Sequence, residues 1–207
     1  MEVIRHGDLK VTRFINPFKG ANTFLLEDEN AGVAWIFDIG DSEEMLSATE
    51  SLEIDRVFVT HAHFDHIKGI KHFCDKHPGC RICAGSRCIE WLADDRRNLS
   101  FYYEHPLDFV PVGCVRLEEG HILQDTDLLS MRAYSTPGHT EDSMTYGIGD
   151  ILVTGDAFIP GVPPVTKLKG GDKQKYAHSV DRIKELITER TLLLPGHGPM
   201  FAGYELI

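Results

Sequence analysis

"THAHFDHIKG", Thr60 to Gly69, sets His61, His63, Asp65 and His66 within six consecutive positions. Imidazole and carboxylate are the hard and borderline ligands that hold zinc, iron and manganese. The stretch follows "RVFVT" (Arg56 to Thr60), whose β-branched and aromatic residues read as a strand. Ile67, Ile70 and Phe73 then recur at helical spacing, which predicts a helix starting near Asp65. The quoted residues therefore occupy a strand-to-helix loop, where side chains from a turning backbone can converge.

The same layout recurs three times. "AYSTPGHT" carries His139, "ILVTGDAF" carries Asp156 and "LLLPGHGP" carries His197, each just past an apolar strand-like run. Gly138, Gly155, Gly196 and Gly198 flank these residues and allow tight turns or close backbone approach. Five of the chain's 11 histidines fall in these loops, whereas His6, His72, His77, His105, His121 and His178 have no comparable setting. A purely structural role would require hydrogen-bond partners for all seven buried groups, which disfavours it. The four loops point to one common metal site.

Around them, "VAWIFDIG" (Val33 to Gly40) reads as a buried strand ending in a turn, and "DSEEMLSATESL" as a helix capped by Asp41 or Ser42. "LLSMRAYST", "MTYGI" and "ILVTG" read as consecutive strands, "KQKYAHSVDRIKELI" as an amphipathic helix and "TLLLP" as a last buried strand. Strands followed by helices in both halves give an α/β layered fold. No repeat or linker divides the chain, so 1–207 is expected to be one domain, large enough for its own core.

Composition excludes several classes. No run approaches the roughly 20 apolar residues of a membrane helix. The opening "MEVIRHGDLKVTRF" lacks a signal-like apolar stretch, so a cytoplasmic protein is expected. A net charge of −11 repels phosphate backbones and argues against nucleic acid as a general partner. The five cysteines, Cys74, Cys80, Cys83, Cys88 and Cys114, are odd in number and are read as reduced thiols in strand and helix positions.

The ligand motifs resemble those of the metallo-β-lactamase-fold hydrolases. "HAHFDH" matches the family's H-x-H-x-D-H signature, and "PGHT", "TGDAF" and "LPGHGP" match its later motifs in order, over about Phe14 to Phe201. The resemblance implies an αββα four-layer sandwich with two divalent metal ions at the strand ends. Zinc is the first expectation, and iron or manganese also suit the ligands. His61, His63 and His139 would hold one metal; Asp65, His66 and His197 the other; Asp156 would bridge both. Asp65 would also take a proton from the shared hydroxide. Asp38, at the end of "FDIG", is similar to a family carboxylate that orients a ligand histidine; read from the residues alone, it is equally an N-terminal cap for the next helix.

Within the family the chain is most similar to the glyoxalase II-like thioesterases. Exported lactamases carry a signal, the diiron oxygen reductases a Glu at the place of His63, and the RNA-processing members a more basic surface. Two departures bear on substrate: only ten residues follow His197, short of a C-terminal glutathione-gripping domain, and "FIPGVPPVTKLKGG" stands where a G-C-G-R stretch is common. The expectation is a dinuclear metal-dependent hydrolase of a small thioester, ester or lactone. The alternatives are a mononuclear iron persulfide dioxygenase using His61, His139 and Asp156, and a non-enzymatic metal-bound sensor. Two segments are candidates for substrate contact. The aromatic insertion "EWLADDRRNLSFYYEHPLDFV", with Tyr102 and Tyr103, would wall the cleft, or else pack a peripheral helix or a homodimer contact. "KLKGGDKQK", with Lys167 and Lys169, would recognise an anionic tail or remain a solvated loop.

Overall fold

The computed structural model of the chain describes residues 1–206, so only Ile207 of the expected 1–207 domain lies outside the described residues. Thirteen strands form two sheets. The first runs β1 (Glu2–His6), β2 (Leu9–Ile15), β3 (Asn22–Asp28), β4 (Val33–Phe37), β5 (Ile54–Val59), β6 (Arg81–Gly85) and β7 (Val115–Leu117), in that spatial order. It is antiparallel from β1 to β4 and parallel from β4 to β7. The second contains β8 (Ile122–Gln124), β9 (Ser130–Ser135), β10 (Met144–Ile148), β11 (Ile151–Gly155), β12 (Leu192–Pro195) and β13 (Phe201–Ala202), in reverse spatial order. Only its β11–β12 pair is parallel.

Alternation along the strands builds the layers. In β4 and β5, Trp35, Phe37 and Phe58 face the second sheet and meet Met131, Tyr146, Val153 and Leu194 in the central core. Their neighbours Ile36, Val57 and Val59 face outward, onto α1 (Glu43–Thr49), α3 (Ile70–Lys76) and α4 (Ser86–Leu92). Strands buried on both faces read as continuous apolar runs, which is why "RVFVT" shows no polar alternation. On the far side, Leu152 and Leu193 pack on Ile183 and Ile187 of the segment around α5 (Lys173–Leu186). The order is helices, sheet, sheet, helix: the αββα sandwich expected from the motifs. Among the described residues no helix is long and apolar enough to cross a membrane.

Local expectations hold with corrections. Ser42, not Asp41 or Asp38, caps α1: its side chain accepts from the Met45 N–H at 3.2 Å. The helix after the histidine loop is broken into α2 (Phe64–Ile67) and α3 at Lys68–Gly69. A Cβ on Gly69 would lie 1.8 Å from the Gly40 carbonyl oxygen, so the chain must step aside there to pass the turn after β4. All five cysteines are free, and among the described residues none joins a metal-type cluster.

Candidate metal centre

Every loop singled out from sequence leaves a strand at one edge of the sandwich. Thr60 directly follows β5 and its carbonyl accepts from the Met144 N–H at 2.8 Å, which clamps the two sheets together there. The buried Tyr146 hydroxyl adds a second tie, donating to the Val59 carbonyl at 2.7 Å. From this edge the structure brings the seven predicted residues together as three overlapping groups. These are His61–His63–His139, Asp65–His66–His197 and His61–His66–Asp156, each with ligand atoms within 4.8 Å of one another. The first two are the sets implied by the family resemblance.

Asp156 stands between them. Its Oδ1 lies 3.5 Å from His66 Nε2; its Oδ2 lies 3.5 Å from His139 Nε2 and 3.6 Å from His197 Nε2. His197 Nε2 is also 3.4 Å from Asp65 Oδ2. Close approach is possible because Gly196 has no side chain: a Cβ there would fall 2.1 Å from Asp156 Oδ1 and 2.8 Å from His66 Cε1.

Outer partners fix the rings. His66 Nδ1 lies 2.9 Å from Asp38 Oδ2, which also accepts from the Thr60 hydroxyl, while Asp38 Oδ1 accepts from the Thr60 N–H, both at 2.8 Å. Asp38 thus orients a ring of the cluster and caps no helix. It does so from φ 55°, a left-handed conformation that aspartate tolerates better than most residues. His139 Nδ1 lies 2.9 Å from the Val165 carbonyl, which only accepts, so the proton sits on Nδ1 and Nε2 presents its lone pair to the cluster. Asp142 was not singled out from sequence, although "HTED" places an acid three residues after His139. It is buried, and its Oδ2 accepts from the Ala62 N–H at 2.8 Å, holding the His61–His63 backbone against the His139 loop.

Electrostatics matches a cation site. Desolvation, then the neighbouring His66 and His63 rings, pushes His61 well below its ordinary pKa; desolvation with His139 does the same to His63, and desolvation lowers His139. Desolvation also disfavours charge on His66, but Asp156, Asp38 and Asp65 overcome it and raise that ring to about 10. Burial pulls Asp65 up, yet the His197 hydrogen bond and the His66 charge hold it below the usual carboxylate range. Three of the imidazoles are thus held neutral beside an ionised Asp65, the ligand states that a divalent cation requires, and a bound cation would displace the proton that the carboxylates hold on His66. His61 Nε2, His63 Nε2, His66 Nε2 and Asp156 Oδ1 are buried without a hydrogen-bond partner. Orphaned buried polar atoms are costly, and cations held in the overlapping groups that contain these residues would satisfy them. The residues therefore fit the divalent metals that their motifs imply.

The candidate substrate residues divide. Tyr103 stacks on Phe64 with ring centres 5.4 Å apart, beside the cluster, whereas Tyr102 is exposed and meets only the edge of Phe101 among the aromatic rings. Trp91, from the same insertion, is buried in the helix-side core. Lys167 and Lys169 are exposed and hold no ion pair among the described residues. The wall beside His139 and Asp156 comes instead from Ile159, Val162, Pro163, Pro164, Val165 and Tyr176.

Residues 17–197 match the family model described as the Metallo-beta-lactamase superfamily. The chain is 26% identical to the probable metallo-hydrolase YqgX of Bacillus subtilis (strain 168) over 190 residues, covering 89% of this chain and 88% of that protein. It is 29% identical to a hydroxyacylglutathione hydrolase of Gloeobacter violaceus over 199 residues, 92% of this chain but only 66% of that protein. The solved BLEG-1 B3 metallo-beta-lactamase superposes with a TM-score of 0.82 at 25% identity, covering 94% of this chain and 95% of that one. With a family match over most of its length and the histidine–aspartate cluster at the sheet edge, the chain belongs to the metallo-beta-lactamase superfamily.

Proposed function

We propose that this metal-dependent hydrolase cleaves a small-molecule thioester, or a related ester or lactone, at a dinuclear centre formed by His61, His63, His139, Asp65, His66, His197 and Asp156. The observation that carries the reading is Asp156, whose two oxygens reach histidines of both three-residue groups. A second complete group around the shared carboxylate supports two cations over one. When bound, two divalent cations polarise the scissile carbonyl and acidify the attacking water.

The chain's own groups do the rest. Asp65, an ionised carboxylate at neutral pH, is placed to receive the proton that the water loses, and His197 stabilises it in that role. Asp38 and the Val165 carbonyl hold His66 and His139 in one tautomer and one orientation, so no reorganisation is needed during turnover. Val162, Pro163, Pro164 and Val165 line one side of the cluster with apolar surface. Water adds to the acyl carbon, the carbon–sulfur bond breaks, and the products are a carboxylate and a thiol. The similarity to a hydroxyacylglutathione hydrolase supports the thioester class.

Metal analysis of protein purified without added metal, paired with thioester assays, tests this. About two zinc ions per chain with thioesterase activity is the expected result. One iron per chain, oxygen consumption with a persulfide and no hydrolysis would replace it with the dioxygenase reading.

A further inference from the structure

The turn between β2 and β3 carries a lysine that the proposed reaction leaves unused. The Asn16 carbonyl accepts from the Gly20 N–H at 3.1 Å and the Asn16 N–H donates to Ala21 at 2.9 Å, closing a tight loop. Within it Lys19 has φ 57° and Gly20 has φ 73°. The left-handed region is costly for a lysine, and such conformations persist where the surroundings impose them.

Here they do. On one flank, Asn22 donates from its backbone to the Gly196 carbonyl at 2.7 Å, and from Nδ2 to Pro195 at 2.9 Å and Gly198 at 3.0 Å. Those residues surround His197. On the other flank, the Phe18 N–H donates to Asp41 Oδ1 at 3.2 Å. The turn is therefore held against the metal-centre loops. The Tyr103 side chain first, then Asp65, holds the ammonium above its ordinary pKa.

The surface around that ammonium is aromatic. Phe18 meets Tyr103 edge-on at 4.9 Å and Phe64 at 5.4 Å, and Phe64 sits in the chain between His63 and Asp65. Lys19 Nζ lies 5.3 Å from the centre of the Tyr103 ring and 5.9 Å from that of Phe18. Lys68 also approaches Phe18, at 4.7 Å, but its charge is already answered by Asp41 at 2.6 Å. Lys10 and Lys71 likewise have carboxylate partners, whereas Lys19 has none among the described residues.

We infer that Lys19, beside the Phe18 and Tyr103 rings that pack on Phe64, is a subsite for a carboxylate on the acyl chain of the substrate, joined to the scissile carbonyl by a short apolar spacer. The inference rests on the hydrolase reading: Asp65 stands beside the acyl carbon there, so the group reaching Lys19 is the acyl chain and not the thiol. The substrate class is the half-thioester of a short dicarboxylic acid. The rings take the methylenes, and the ammonium takes the charge.

The test compares succinyl and butyryl thioesters of N-acetylcysteamine, which differ in a terminal carboxylate against a methyl group, on the zinc-loaded enzyme. Lys19→Asn removes the charge while retaining a residue that accepts φ near 57°. The succinyl-to-butyryl ratio of kcat/KM should fall about two- to five-fold in Lys19→Asn, as for a solvent-accessible charge contact, and recover in Lys19→Arg. Raised ionic strength should shrink the wild-type ratio toward that of Lys19→Asn. An unchanged ratio, with both thioesters losing equally, would overturn the subsite. Calorimetry with the non-cleavable ketones 4-oxononanoate and 4-nonanone separates the two claims. If the wild type cleaved neither thioester, the hydrolase reading would fall. Weaker binding of the oxo-acid alone in Lys19→Asn would still support the subsite, and equal effects on both ketones would sink it.

Discussion

A carboxylate that touches both halves of a site and one that touches only a single ring should fail in different ways. Asp156 contacts histidines of both groups, while His197 Nε2 approaches Asp65 and Asp156 and its ring packs on His66. Asp156→Ala should therefore deplete both metals, and His197→Ala chiefly one. Metal-to-protein ratios after dialysis check this, and two tightly held metals in Asp156→Ala would refute the shared role. Asp38 acts at one remove, through His66. Asp38→Asn retains a left-handed residue but supplies an amide where a charged acceptor stood. A loss of about 10- to 100-fold in metal affinity is expected, as for other carboxylates behind ligand histidines. Competition with a chromogenic chelator would measure it, and the thermal stability of the metal-free protein should move much less.

At the scale of elements, the site exists because four loops leave their strands at the same edge and are pinned there. α5 contributes directly: its Ser179 hydroxyl donates to the Pro137 carbonyl at 2.7 Å, and the Asp172 N–H donates to Gly138 at 2.8 Å, so the helix start is packed on the His139 loop. The end of β12 is held as tightly. Gly196→Ala would push a methyl into Asp156 and His66, and overpacking of this kind costs about 1–3 kcal/mol. Because both neighbours belong to the metal cluster, the larger effect should be on metal content and activity. Full metal loading and wild-type turnover in Gly196→Ala would show that the strand end yields easily.

For the whole molecule, the two sheets are joined away from the metal edge by Asp125. It accepts from Arg56 Nε and Nη2 at 2.5 and 2.6 Å and from Trp35 Nε1 at 2.8 Å, linking the turn after β8 to β4 and β5. The Arg56 hydrogen bonds hold the Asp125 carboxyl below its ordinary pKa. A depressed carboxyl contributes stability that is present above its unfolded pKa, about 3.9, and is lost as pH falls below that value. Asp125→Asn should cost about 1–3 kcal/mol at neutral pH by taking the closer of two carboxylates from the buried Arg56, whose other acid, Asp55, lies 3.7 Å away. It should also flatten the acid-side loss of stability expected of the wild type as pH falls from about 5 through the depressed Asp125 pKa. Urea melts across that range would reveal it, and parallel pH curves would reject the linkage. Chelation, in contrast, should abolish activity and leave most of the circular dichroism intact, because three apolar clusters hold the sandwich without metal. Complete unfolding of the chelated protein at room temperature would make the metal structural.

The parts legible in the amino-acid order were those with short-range signatures. Runs such as "RVFVT" and "ILVTG" specify strands by branched side chains, and the ligand motifs lie immediately after them, so both the layers and the seven clustered residues could be read in advance. What needed the third dimension was every pairing between distant segments. Whether Asp38 capped a helix or oriented His66 depended on a contact across 28 positions, and the roles of Asp142 and Asp125 depended on chains meeting from opposite sheets. The helix break at Gly69 came from the Gly40 carbonyl, which no local propensity encodes. Lys19 looks like any surface lysine until the turn that carries it is tied to the His197 loop. Local sequence dictates backbone conformation and burial pattern, whereas the partner of a charged side chain is set by which loops the packed sheets bring to the same edge.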